Sequence, residues 1–316
     1  MLRLIVFMHV LALALSASTP SGIIEVTVSQ DGSADFKTVQ QAIDHAPDEA
    51  SGRLIIHVKP GTYHERVNIP QERPRVTLMG DDAASTVITF GMSAKEAGGT
   101  FLSATVEVNS TGFEAENVTF ENSFGTGSQA VAIDVHSDKA VFRKCRFIGW
   151  QDTLYAAWGR QYYYDCFIEG HVDFIFGNAT AVFDHCEIHS RGAGYIAAES
   201  RTSPAQTTGY VFYKCKLTGE NTATRVFLAR PWRPYSRVVY IDCEMGAHIR
   251  PEGWNNWNNT AANEKTAWFG EYGSTGPGAN SAARMKWAHE LTPAEVKQFL
   301  PDTFLRGDDG WQPQSK

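Results

Sequence analysis

The five cysteines of this 316-residue chain all fall in one recurring pattern. Each sits in an aromatic-rich run and is followed two residues later by a bulky side chain. The runs are FRKCRF around Cys145, YYDCFI around Cys166, FDHCEI around Cys186, FYKCKL around Cys215 and YIDCEM around Cys243, at spacings of 21, 20, 29 and 28 residues. AENVTF, with Val118 in the cysteine position, extends the series upstream. Repeats of this length, each a strand followed by turn residues, are the mark of a solenoid whose units bury their apolar faces only by stacking.

Val, Ile, Phe, Tyr and Thr dominate these repeats and no repeat carries a second amphipathic segment, which disfavours helical and leucine-rich arrays. The expected fold is all-β, a right-handed single-stranded parallel β-helix in which each repeat is one coil, with short helical caps at both ends. The longer repeats then carry loops budding from one face. Equivalent positions on successive coils lie about 4.8 Å apart, so the cysteines read as an interior ladder of small hydrophobes with reduced thiols. Disulfides are the alternative if the chain is exported, and an odd number leaves at least one thiol free in a monomer. Nothing resembles CxxC metal-ligand spacing.

DFKTVQQAIDHAP places Phe36, Val39 and Ile43 on one helical face, with Asp35 as candidate N-cap, and reads as a cover for the first coil. LIIHV (54–58) begins the strands. Thr292-Pro293-Ala294-Glu295 is a capping-box pattern with proline at the first helical position, opening a second cap to about Leu300. Such covers protect open strand edges from aggregation. At the N-terminus, Met1–Arg3 is followed by a mostly apolar stretch over Leu4–Ala17 and then small residues. This reads as a secretory signal over 1–18, followed by one β-helix domain over 19–316. The expected location is extracellular, or periplasmic in a Gram-negative source. A net charge of −7 argues against nucleic acid or an anionic membrane as partner.

The cysteine register points to chemistry. Asp152 lies seven residues after Cys145, and Asp173 seven after Cys166. If the cysteines stack, so do the carboxylates, and two charges about 5 Å apart repel by roughly 3 kcal/mol at an effective dielectric near 20. One should ionise while the other keeps its proton, as a nucleophile and a general acid require. Asp173 stands in HVDFIFGNA (171–179), where alternation would send Val172, Phe174 and Phe176 to the core and the carboxylate outward into a cleft.

At these residues the sequence resembles the pectin methylesterases. The resemblance runs from about Ile24 to the C-terminal region through GTYHE (61–65), QAVAI (129–133), QDTLY (151–155), DFIFG (173–177), ARPW (229–232), GWNNW and FGEYGSTGPGA. It implies a parallel β-helix esterase acting on methyl-esterified homogalacturonan, as a monomer with no cofactor and no metal. It implies Asp173 as nucleophile, Asp152 as general acid and later base, Gln129 and Gln151 as oxyanion-binding amides, and Arg230 as the partner that holds Asp173 charged and lowers its pKa. Trp232 resembles a sugar-stacking residue, Tyr155, Phe176 and Trp254 resemble aromatic cleft walls, and Thr105 a further substrate-binding position. Gln151 and Asp152 are adjacent, so both can serve one cleft only if the chain bends there, and Gly149 is the candidate for the bend.

Two departures stand out. Ala229 replaces the glycine usual beside the arginine, so its methyl group could crowd the cleft. AAESRTS (197–203) differs from the usual Gln-Gly-Arg wording, with Arg201 keeping its place. Histidines form no HExxH pattern, and no GxSxG marks a serine esterase. A glycosidase or lyase on the same scaffold, an inactive carbohydrate-binding β-helix and an acyl thioesterase are the competing readings. A glycosidase needs carboxylates placed about a glycosidic bond and no pair of oxyanion-binding glutamines.

Overall fold

The structure, a computed structural model, describes residues 22–46, 52–73, 75–258 and 260–315; the expected signal segment lies outside them. It is a parallel β-helix with three faces. The first face holds eleven strands in chain order, from Ile23–Val28 to His289–Glu290, every neighbouring pair parallel. The second begins at Gly61–His64 and the third at Val67–Ile69. Strands Phe167–Gly177 and Glu187–Glu199 run unbroken around the corner between the second and third faces, with local shifts of register.

The repeat is legible in the corner between the first and second faces. Asn117, Lys144, Asp165, His185, Lys214 and Asp242, each directly before Val118 or one of the cysteines, all adopt φ between 51° and 56°. Left-handed backbone suits Asn and Asp and is uncommon for Lys, so its recurrence at Lys144 and Lys214 shows the coil imposing the turn. The five cysteines are free and buried. Four of the thiols donate to carbonyls one coil back: Cys166 to Phe142 O at 3.6 Å, Cys186 to Tyr163 O at 3.4 Å, Cys215 to Phe183 O at 3.1 Å and Cys243 to Phe212 O at 3.4 Å. A small apolar side chain with one weak donor is what this corner accommodates.

Along the core runs a stack of rings contributed one per coil. Phe142, Tyr163, Phe183, Phe212 and Tyr240 succeed each other at centroid separations of 4.8, 4.7, 4.7 and 4.4 Å, with interplanar angles of 15° or less. These separations match the strand spacing, so stacking and backbone pairing favour the same register.

Two expectations about the ends need correction. The first helix is Val39–His45, and its N-cap is Thr38, whose side chain accepts from the Gln41 N–H at 3.2 Å. Asp35 accepts from the Thr27 N–H instead, because its neighbour Phe36 pairs in register with Val28 rather than starting the helix. The capping box at Thr292 is present, but its α-helix is only Pro293–Val296, continued by a 3-10 turn over Lys297–Phe299. That segment is no end cap. Leu291, Val296, Phe299 and Leu305 pack against the outward side chains of the first face, Val141, Tyr162, Val182, Val211 and Val239. The tail thus covers a second apolar layer, fastened by Arg160 to Asp309 at 2.5 Å and Lys139 to Asp309 at 2.7 Å.

Phe183 lies mid-stack and is fully buried. Phe183→Ala should destabilise the fold by about 3–5 kcal/mol, read as a lower midpoint in urea unfolding; a change below about 1 kcal/mol would deny the stack its role in holding register.

Candidate active site

Parallel pairing carries the cysteine register to the corner between the second and third faces. Arg146, Phe147 and Ile148 pair with Phe167, Ile168 and Glu169, and Gln151 bridges to Val172. The Asp152 N–H donates to Val172 O at 3.1 Å, so Asp152 and Asp173 stand at equivalent positions on neighbouring coils. Both are left-handed, with φ of 63° and 50°.

This conformation settles the geometry of the corner. The bend that brings Gln151 and Asp152 to one cleft is made by Asp152 itself, a residue type that tolerates left-handed backbone, and not by Gly149, whose φ is not positive. It also breaks the alternation expected of HVDFIFGNA. After the turn at Asp173, Phe174 and Ile175 are consecutive core residues, Val172 is only half-buried, and Phe176 belongs to the cleft cluster. Just beyond, Gly177 has a φ of 122°, and a Cβ there would fall 2.2 Å from Ala156 O, so no other residue fits this close approach.

Asp173 is 6% exposed and receives Arg230 in a bidentate grip, Nε to Oδ1 at 2.8 Å and Nη2 to Oδ2 at 2.5 Å. Arg230 is itself held between two rings, with its guanidinium carbon 3.9 Å from the Tyr195 centroid and 4.0 Å from that of Trp257. The planar fork is thereby fixed in the one orientation that matches a carboxylate. Asp152 is 9% exposed, and its carboxyl has no hydrogen-bond or ion-pair partner among the described residues.

Burial raises the Asp173 carboxyl above the usual carboxylate range, and the hydrogen bonds and charge of Arg230 pull it back. Arg230 thus lowers the Asp173 pKa against its desolvation, and desolvation remains the larger effect. Asp152 is pushed well above its ordinary value, by burial first and then by the charge of Asp173, with the charge of Arg230 opposing them. The split has the expected sense, with Asp173 the group that carries the charge.

A cavity of about 240 Å³ opens over these carboxylates, lined by Gln129, Gln151, Phe176, Arg230 and Trp232 together with Thr100, Phe101 and Trp257. The two glutamines reach it from adjacent coils, since Ala130 N–H donates to Gln151 O at 3.1 Å and Ala94 N–H to Gln129 O at 2.7 Å. Their side-chain amides have no intramolecular partner among the described residues, so their N–H groups are available to a ligand. Along the third face an aromatic strip continues, with Phe101 on Tyr155 at 4.7 Å, Tyr155 on Phe176 at 4.6 Å and Phe176 beside Trp232 at 5.9 Å.

Two expected cleft residues are elsewhere. Trp254 is 1% exposed and packs in the core on Tyr240 and Phe269; the ring in the cleft is Trp257. Both come from GWNNW, and the left-handed turn at Trp257, φ 60°, leaves its ring outside. Thr105 is fully buried, and its hydroxyl donates to Glu121 O at 2.8 Å and Phe90 O at 3.3 Å, so it braces the scaffold and faces no ligand. Ala229 is buried in the core beside Trp254, so its methyl group does not crowd the cleft. Sequence reasoning misses Tyr195, Trp257, Thr100 and Phe101. For Phe101, the available signal is a large apolar residue in a glycine-flanked loop outside the repeat.

A family model described as Pectinesterase matches residues 25–308. Pectinesterase 31 of Arabidopsis thaliana is 45% identical over 291 residues, covering 89% of this chain and 92% of the relative. The pectin methylesterase from carrot shares the fold with a TM-score of 0.87 at 37% identity, over 93% of this chain and 96% of that one. A pectin methylesterase in complex with a hexasaccharide gives a TM-score of 0.79 at 29% identity, over 91% of this chain and 98% of that one.

The electrostatic arrangement is testable by carboxyl-carbon NMR titration. Arg230→Gln should move the Asp173 transition to higher pH, because it removes the groups that pull Asp173 down. Asp173→Asn should move the Asp152 transition to lower pH, since one of its two raising causes is gone. An Asp152 transition left unmoved by Asp173→Asn would mean that the carboxylates are not coupled. Trp254→Ala should lower the melting temperature markedly, and Trp257→Ala should leave it nearly unchanged.

Proposed function

The chain belongs to the pectinesterase family, and from that premise we propose that it hydrolyses the methyl esters of homogalacturonan to methanol and pectate through an acyl-enzyme on Asp173. It is an enzyme of the pectinesterase class; the substrate detail, the residue roles and export from the cell are the proposed part. The observation that carries the reading is an Arg230-gripped Asp173 beside Asp152 on the neighbouring coil, whose raised carboxyl, like the amides of Gln129 and Gln151 in the same cavity, has no partner among the described residues.

In this reading a methyl-galacturonate unit lies over the aromatic strip with its ester carbonyl above Asp173. One carboxylate oxygen of Asp173 attacks the carbonyl carbon, and the charge that develops on the carbonyl oxygen is met by the N–H groups of Gln129 and Gln151. The C–O bond to the methoxy group breaks as protonated Asp152 delivers its proton to the leaving oxygen, giving methanol and an anhydride between Asp173 and the sugar. Asp152, now a carboxylate, takes a proton from water as that water attacks the anhydride. The sugar leaves as galacturonic acid and releases its proton to solvent, Asp173 regains its charge against Arg230, and Asp152 is again protonated. Arg230 limits the loss of solvation as Asp173 alternates between charged and acylated forms.

The aromatic strip over Phe101, Tyr155, Phe176 and Trp232 supplies apolar faces of the kind that sugar rings stack on. The hexasaccharide bound by a related pectin methylesterase supports a ligand of several sugar units. The apolar N-terminal stretch supports export, where pectin would be met. Among the described residues, no helix is long and apolar enough to cross a membrane.

The decisive assay measures methanol release and new carboxylates from highly methylated pectin, together with chain length. The wild-type chain should release methanol without shortening the polymer. Asp173→Asn should stay folded and lose at least about three decades in kcat, and Gln151→Ala should lose about 10²–10³. An Asp173→Asn protein that remains active with deamidation excluded would overturn the nucleophile assignment. Chain cleavage with an unsaturated product would turn the reading to a lyase.

A further inference from the structure

The segment that presents Arg230 and Trp232 leaves the third face after Val226–Ala229 and rejoins the first at Arg237–Ile241. Between these strands it forms no sheet and is laid against residues 197–201. Arg230 N–H donates to Ala197 O at 2.9 Å, Trp232 N–H to Glu199 O at 3.1 Å and Tyr235 N–H to Arg201 O at 3.1 Å. The Ser236 hydroxyl also donates to Glu199 O, and Arg237 N–H donates to the Glu199 carboxyl at 2.7 Å. Glu199 therefore receives the segment three times, once at Trp232 and twice at its far end.

Its side chain is an unusual choice for such a place. Glu199 is 0% exposed, and its second carboxyl oxygen, Oε1, has no hydrogen-bond partner among the described residues. The charged and titratable groups that face it are Arg201, Arg237 and Tyr210. Among the described residues, none of these three side chains pairs with it. The Arg237 guanidinium donates to Thr207 O and lies over the Phe304 ring, that of Arg201 donates to Pro204 O at 2.5 Å, and the Tyr210 hydroxyl donates to Ala156 O at 3.1 Å. An ionised carboxylate here would be buried with one oxygen unsatisfied and no counter-charge in contact, a state that proteins avoid by keeping the proton.

We propose that Glu199 is a positioning residue, whose main-chain carbonyl and carboxyl fasten the 230–237 segment and so aim Arg230 and Trp232 into the cleft, and whose ionisation loosens that segment by placing an unsolvated charge beneath it. Burial pushes the Glu199 carboxyl up to about 8, against the opposing pull of the Arg237 and Arg201 N–H groups and the Arg237 charge. The clamp is thus intact at neutral pH and fails on the alkaline side. The inference rests on Arg230 and Trp232 acting in the cleft, as proposed above. It differs from that reading in locating the alkaline limit of activity in a group that touches no substrate.

The sign for stability comes from the same shift. An acid whose folded-state pKa lies above its unfolded value binds more protons in the native state between the two. Stability therefore falls as pH rises from about 4.5 to about 8. Glu199→Gln keeps an acceptor for the Arg237 N–H and cannot ionise, whereas Glu199→Ala removes the acceptor.

The test is the pH profile of kcat/KM for methanol release from highly methylated pectin, with thermal midpoints across the same range. Glu199→Gln should match wild type within about threefold at pH 7, with its alkaline limb displaced upward by about one unit or more and a midpoint advantage that grows between pH 5 and 8. Glu199→Ala should lose about tenfold or more at pH 7, since small misplacement of a positioned group is amplified in rate. Coincident alkaline limbs for wild type and Glu199→Gln would assign that limit to Asp152 and overturn the switch. A Glu199→Ala enzyme as active as wild type would overturn the clamp. Wild-type activity at neutral pH is read in the same experiment, so failure of the esterase reading itself is seen separately.

Discussion

Everything in this molecule depends on the constant register of parallel pairing between coils. A β-helix has no other means of bringing residues about twenty positions apart into contact, and a slip of one residue would turn every inward side chain outward. Backbone hydrogen bonds alone do not distinguish one register from its neighbours. The rings from Phe142 to Tyr240 do, because each finds a parallel partner at strand spacing only in the native alignment. The thiols below them tie each corner to the coil before it. Asp152 stands over Asp173 because this register persists to the next corner.

The cleft then divides one residue type into two chemical states. Both aspartates are almost equally buried, so desolvation by itself would raise both. Arg230 breaks the symmetry by gripping one of them, and the retained charge acts on the other. The arginine is dependable because Tyr195 and Trp257 hold its plane on both sides. Precision in the electrostatics thus derives from packing, two contacts removed from the reacting atoms.

Much of this was legible in the sequence, for identifiable reasons. The cysteines occur once per coil, so their spacing reports the period directly, and the equal offset from cysteine to aspartate carried the register into the site. The features that escaped the sequence lie where the strand period is interrupted. The left-handed turns at Asp152 and Asp173 reverse the inside-outside sense of the residues after them, so Phe174 and Ile175 are both core, and the one at Trp257 leaves that ring in the cleft while Trp254 stays in the core. A period-2 reading has no term for such a turn unless glycine announces it. Thr105 failed for another reason: a hydroxyl that could meet a ligand could equally satisfy backbone carbonyls, and only the fold shows Glu121 and Phe90 waiting for it. The C-terminal capping box was right in its local chemistry and wrong in its destination, since a cap pattern does not say which surface the segment will cover.

The path of that C-terminal segment changes how the coil array can come apart. In a simple solenoid each unit contacts only its neighbours, so the ends peel away one coil at a time. Here the tail lies back across the outward residues of several coils, and Asp309 is tethered to Lys139 and Arg160 near the middle of the array. Coils adjoining the C-terminus cannot fray until those distant tethers let go. The chain closes on itself like a strap around a stack, and opening that begins at the last coil becomes a cooperative event involving the half of the molecule that carries the carboxylates.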